Sequence, residues 1–153
     1  MSCIPSPRPL SFADELHHLE AYLSLEKIRY DDDLDIKYDI KATEFFIPPL
    51  TVQPLVENAV NHGISDLPGG GLVTISTEEK RDYYEIRVSD NGVGFDSETV
   101  PEDGRSHLGI MNVRSRLNIM CHGTLDIKSA PGDGTVAIIQ IPKGGATDEY
   151  HSS

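Results

Sequence analysis

Apolar residues recur at three- and four-residue intervals through SFADELHHLEAYLSLEKIRY, where Phe12, Leu16, Leu19 and Leu23, extended by Ile28, form one helical stripe. Ser11 stands just before the stripe, and Asp14 and Glu15 fall in its first turn. A capping hydroxyl and early acids are what a helix N-terminus favours. Three aspartates at 31–33 break the helix, and the alternation of LDIKYDI, residues 34–40, predicts a strand. The stiff FIPPL leads into a second helix over 49–63, PLTVQPLVENAVNHG, closed by Gly63. LPGGG is a loop before two strands, over 72–79 and 83–89. A polar stretch, 91–107, precedes a third helix, LGIMNVRSRLNIM, over 108–120. TLDIKSA and TVAIIQIP then read as two strands joined through PGDG as a hairpin.

The order α-β-α-ββ-loop-α-ββ predicts an α+β fold, a two-layer sandwich with helices on one face of a mixed, mostly antiparallel sheet. Residues 1–10, rich in Pro and Ser, read as a disordered leader; 11–143 form one domain, and 144–153 a frayed polar tail.

Charge narrows the classes of partner. The 153 residues carry 25 acidic against 13 basic side chains, a formal net charge of −12, which argues against a nucleic-acid-binding face. A polyphosphate ligand would need local cations or a metal to offset that field. Cys3 and Cys121 are expected as free thiols in a reducing compartment. No apolar run reaches the length of a membrane span and no signal-peptide pattern opens the chain, so it reads as soluble. That still suits the cytosolic part of a longer membrane protein.

Three features carry candidate chemistry, and GxxxxGK[ST] is not among them, which excludes a P-loop. The second helix sets Glu57, Asn58, Asn61 and His62 among apolar residues, and Asn58 stands three before Asn61 and four before His62, which puts those three on one face. SDNGVGF ends a strand in Asp90 and turns through Asn91, Gly92 and Gly94, yet no returning strand follows its polar continuation. By itself, DNG is a surface turn. GRSHLGIMN brings Gly104 and Gly109 to a helix start, followed by Arg114 and Arg116. A glycine-preceded helix N-terminus is a natural phosphate site, because its amides and dipole favour anions.

Taken together, LTVQPLVENAVNHG, DNGVGF, HLGIMNVRSRL and PGDGT resemble the N, G1 and G2 boxes and terminal Gly-Thr of the GHKL ATPase superfamily. More closely, they resemble the catalytic domain of sensor histidine kinases of the LytS/YesM type, over residues 11–142. The resemblance implies the Bergerat fold and bound Mg-ATP. Asp90 would accept a hydrogen bond from the adenine amino group, Gly92 and Gly94 would let the backbone pass close to the base, and the polar stretch would be a lid over ATP. Asn58 would ligate Mg²⁺ through its carbonyl oxygen. Glu57 would either orient a metal-bound water or the attacking group, or serve as a structural carboxylate. His62 would either stack on or touch the nucleotide, or simply end the helix. Asn61, Gly109, Asn112, Arg114 and Thr135 complete the implied ATP-contacting set. Asn61 stands where many relatives carry Lys or Arg, a lost cation for which Arg114 or Arg116 would compensate.

The implied activity is that of a protein-histidine kinase. Its partners would be the dimerisation and phosphoacceptor segment and a response regulator receiver domain, with no nucleic acid. The full-length protein is expected as a membrane-bound homodimer, this domain lying on the cytoplasmic side of a bacterial cell membrane. The phosphoacceptor motif, similar to NPHFLFN, does not occur in the sequence, and His17 and His18 read as helix-surface residues. Two alternatives stay open. A gyrase- or chaperone-type ATPase needs a glutamate base one turn before the metal asparagine, where Pro54 stands. A non-catalytic switch that binds nucleotide or a protein partner is compatible with the loss of a cation at Asn61.

Overall fold

The computed structural model describes residues 10–30, 33–64, 69–94 and 105–143. The leader up to residue 9, the tail 144–153, and 95–104, where most of the expected lid falls, lie outside the described residues. The described chain runs β1 (Leu10–Ser11), α1 (Phe12–Tyr30), β2 (Leu34–Ile40), β3 (Phe46–Ile47) and α2 (Gln53–Asn58), which continues as a π-helical segment (Ala59–Ile64). β4 (Gly71–Glu79), β5 (Tyr83–Asp90), α3 (Arg105–Cys121), β6 (Thr124–Ser129) and β7 (Thr135–Pro142) follow. Leu10, expected in the leader, instead pairs with Ile47 in the small β1–β3 ladder.

The main sheet has the order β2-β4-β5-β7-β6, antiparallel except for the parallel β2–β4 pair. A parallel pair needs a crossover, and the segment between β2 and β4, including α2, supplies it. Period-two alternation sends Val73 and Ile75, Ile86 and Val88, Ala137 and Ile139, and Leu125 to one buried face. The helices cover that face: the π-helical segment packs over β4 and β5, α3 over β6 and β7, and α1 over β2. The fold is thus the two-layer sandwich predicted from the order of elements.

α1 begins as expected, with the Asp14 N–H donating to Ser11 Oγ at 3.2 Å. Ser11→Ala should cost about 1 kcal/mol, roughly 2–4 °C in Tm for a domain of this size. Thermal unfolding followed by circular dichroism checks this; an unchanged Tm would make the cap irrelevant.

The inward stripe of α1 differs from the expectation at one end. Ile28 is 78% exposed. It lies nine residues past Leu19, about two and a half turns, and therefore on the opposite side of the helix. Tyr22 and Tyr30 pack against the core instead, and Glu15 is buried beside Phe12, Leu19 and Leu23. Phe45 joins α1 to the sheet by stacking on Phe12 at 5.1 Å and on Tyr84 at 4.6 Å between ring centroids.

The second helix also departs from its predicted form. It starts at Gln53 rather than Pro49, because residues 49–52 form turns and bends. Beyond Asn58 it widens to π geometry, so the three- and four-residue spacing of Asn58, Asn61 and His62 no longer describes a single α-helical face. Such widened turns inside helices recur at functional sites.

Candidate nucleotide-binding site

Strand register assembles the floor of the site. Val73 on β4 pairs with Asp90 on β5, Asp90 with Thr135 on β7, and Thr135 with Ser129 on β6. These four form one transverse row at the end of the sheet. Asp90 follows Ile86 and Val88 at two-residue spacing, which places it on the helix-covered face. Two candidates 45 positions apart in sequence (90 and 135) are therefore cross-strand neighbours.

Asp90 is half-buried. Burial raises its carboxyl above the ordinary aspartate value, while the backbone N–H groups of Gly92 and Thr135 pull the other way. The Gly92 N–H donates to Asp90 Oδ1 at 2.8 Å, folding the acid over its own turn. Ser129 Oγ donates to the Gly134 carbonyl at 2.9 Å and lies 2.8 Å from Thr135 Oγ1, fixing the far end of the row.

Two glycines let backbones converge here. Gly94 has φ 68°, and a Cβ there would run into the Ala130 carbonyl oxygen; Gly134, at φ 75°, would strike the Asp90 carbonyl oxygen. The segment leaving β5 is thereby seated on the β6–β7 turn, with the Gly132 N–H donating to the Val93 carbonyl at 2.7 Å. The close approach at Gly94 is to protein backbone.

α2 carries Glu57 and Asn58, both half-buried, and the π-helical segment carries Asn61, exposed, and His62, whose side chain lies outside the description. Glu57 Oε2 accepts from Gln53 Nε2 at 2.9 Å, one turn earlier. Its charge also reaches α1: the Tyr22 phenol is pushed up to about 12 by burial first, then by Glu26 and Glu57.

α3 starts three residues earlier than predicted (105 against 108). Gly109 is consequently its fifth residue, past the four amides that a helix leaves unpaired, and does not open the helix. Asn112 is exposed on the same helix. Arg114 Nε and Nη2 both donate to the Leu125 carbonyl, at 3.1 and 3.0 Å, tying α3 to β6. Arg116 Nη1 donates to the Pro49 and Leu50 carbonyls at 3.1 and 2.6 Å. Both guanidiniums expected to replace the lost cation are engaged with backbone oxygens.

Two residues without an assigned role prove central to the geometry. Asn91 Oδ1 accepts from the Leu72 N–H at 2.7 Å while its own N–H donates to the Leu72 carbonyl at 3.2 Å, locking the β5 exit to the start of β4. Its place before Gly92 was a turn signal, but the partner across the sheet was not legible. Glu15 Oε2 accepts the N–H groups of Thr51, Val52 and Gln53 at 3.1, 2.7 and 3.3 Å. An acid on an otherwise apolar helix face was its sequence signal. Cys121 is buried, and its Sγ donates to the Leu117 carbonyl at 3.3 Å. His17 and His18 are exposed on α1.

A mixed five-stranded sheet covered on one face by helices, with a half-buried acid ending a central strand beneath them, is a two-layer α/β sandwich. The chain belongs to the histidine kinase-, DNA gyrase B- and HSP90-like ATPase family, whose match spans residues 49–145. It is similar to the sensor protein LytS of Streptococcus mutans serotype c, 32% identical over 157 residues that cover 95% of this chain and 27% of that protein. Sensor histidine kinase YpdA of Escherichia coli K12 is 35% identical over 134 residues, covering 84% of this chain and 24% of YpdA. The chain thus spans about a quarter of the length of these two relatives. Among solved structures, the histidine kinase domain of the Erythrobacter litoralis EL346 blue-light activated kinase superposes with a TM-score of 0.71. That match covers 96% of this chain and 68% of the other at 17% identity, a likeness of fold. Among the described residues, no helix is long and apolar enough to cross a membrane.

Proposed function

We propose that this chain is the ATP-binding catalytic domain of a two-component sensor histidine kinase. It presents the γ-phosphate of Mg-ATP to a phosphoacceptor histidine in the dimerisation segment of the full-length protein, for onward transfer to an aspartate of a response regulator receiver domain. The full-length kinase is a membrane-bound homodimer with this domain on the cytoplasmic side.

The observation that carries this reading is the transverse row of Asp90, Thr135 and Ser129 on the helix-covered face. Asp90 Oδ1 is held by Gly92, and burial disfavours its ionised form, so a donor such as an adenine amino group relieves an existing cost. Asn58 offers a half-buried amide oxygen, a hard donor of the kind magnesium accepts alongside phosphate oxygens and water. Asn58 is the residue that would hold magnesium, which would neutralise phosphate charge when bound. The chain's own part is positioning: Asp90 orients the base, Asn58 the phosphates, and the folded site holds the donor where a histidine can attack in line. The bond of Glu57 to Gln53 supports a structural role for that acid. Pro54, one turn before Asn58, has no proton acceptor, which disfavours a hydrolytic ATPase of the gyrase type.

With γ-labelled ATP, this chain alone should stay essentially unlabelled and hydrolyse slowly. Adding the dimerisation segment, in cis or as a separate chain, should place acid-labile, base-stable label on its histidine. Label on the chain alone that vanishes in His17→Ala or His18→Ala would overturn the reading. ATP binding without any transfer in the full-length protein would favour the non-catalytic switch.

A further inference from the structure

α2 lacks a cap of its own. Its N-cap residue is Val52, which makes no side-chain capping bond, and Pro54 follows directly within the first turn. The amides at its entry are satisfied from α1, by a glutamate 36 to 38 positions earlier. Glu15 is only 3% exposed. Its Oε2 takes all three N–H groups, while its Oε1 is buried with no partner among the described residues. Ser or Asp at position 52 would cap the helix without burying a carboxylate. Capping by a buried acid of another helix, in place of a local cap, ties this turn to α1.

The carbonyls of the same turn are gripped from the opposite side. Arg116 on α3 donates to Pro49 and Leu50, and Leu50 sits at φ 56°, a left-handed conformation that a leucine adopts only when held. Thr51 Oγ1 closes the turn by donating to the Pro48 carbonyl at 2.5 Å. An anion on α1 thus holds the N–H side, and a cation on α3 the carbonyl side, of one short bend. Asn58 lies five residues beyond Gln53 in the same α-helical run, about 7.5 Å along its axis. A helical turn and a half is stiff, so whatever sets the bend sets Asn58.

We propose that Glu15 and Arg116 are positioning residues, a two-sided hydrogen-bond clamp on the 48–53 backbone, that hold Asn58 in register for magnesium and make metal-dependent ATP binding sensitive to the placement of α1 and α3. This rests on the ATP reading above. The clamp acts on the phosphate and metal end of the site. Asp90, on the sheet, is outside its reach.

The test is the affinity for ATP in excess magnesium and in EDTA, measured by calorimetry for the wild type, Glu15→Gln and Arg116→Gln, each checked for folding by thermal unfolding. Both variants should keep their metal-free affinity within about twofold while the magnesium enhancement falls about tenfold, the usual loss when a residue supporting a metal ligand is removed. Should Glu15→Gln fail to fold, Arg116→Gln, at a half-buried position on α3, decides alone. A folded variant with wild-type magnesium enhancement overturns the clamp. Equal loss with and without metal also overturns it, pointing to general loosening or a direct phosphate contact. A wild-type chain that binds ATP equally with and without magnesium overturns the clamp, and one that binds no ATP overturns the ATP reading and the clamp with it.

Discussion

Asp90→Asn is expected to weaken ADP binding by about 1–3 kcal/mol, roughly 5- to 150-fold in Kd, with the fold retained. The carboxylate closes a half-buried row under the helices and accepts the Gly92 N–H at 2.8 Å. Asparagine is isosteric, yet its NH2 presents a donor toward the adenine amino group and leaves two buried donors facing each other. Calorimetry on the wild type and the folded variant settles the matter, and equal affinities would remove Asp90 from the base-binding role. The pH dependence has a defined sign. Burial raises Asp90 above 3.8, so affinity that needs the carboxylate is present above that raised pKa and is lost as pH falls through it. Its contribution to stability runs the other way. A raised acid pKa means the folded state binds the proton more tightly, so this contribution is full below 3.8 and lost as pH rises through the folded pKa. Asp90→Asn should flatten both trends.

Asn58→Ala should abolish the magnesium dependence of ATP binding and lower phosphoryl transfer in the full-length kinase by on the order of a hundredfold or more. Truncation removes the proposed oxygen ligand from the last α-helical turn before the π segment, while Leu55, Val56, Ala59 and Val60 still pack inward. The fold should therefore survive, and metal-free nucleotide affinity should change little. Asn58→Asp keeps an oxygen ligand but sets a negative charge beside the triphosphate, so it should recover metal binding more than transfer. A magnesium response in Asn58→Ala equal to that of the wild type would reduce Asn58 to an ordinary helix residue.

Local pattern was enough for the layer architecture. Alternation marked all five strands of the main sheet within about a residue or two at each end, and Ser11 marked the start of α1, because these signals depend on neighbours a few positions away. The boxes containing Asn58, Asp90 and Thr135 were likewise readable, since their residue types and order are linear properties of the chain. Helix phase was harder. Ile28 is apolar like the rest of the stripe, yet nine positions from Leu19 put it on the far side of the helix, where it is exposed.

What only the tertiary structure decided is which groups those residues meet. Register made Asp90, Thr135 and Ser129 one row, although they come from three strands. Arg114 and Arg116 looked free for phosphate in sequence, but packing set both against carbonyls on β6 and at the entry to α2. Pro49 suggested a helix start that the bend held by Glu15 and Arg116 delays to Gln53. In each case the deciding partner lies tens of residues away. A local pattern records propensity and period, whereas the pairing of a buried amide, carbonyl or charge is settled only when distant segments pack together and water is excluded.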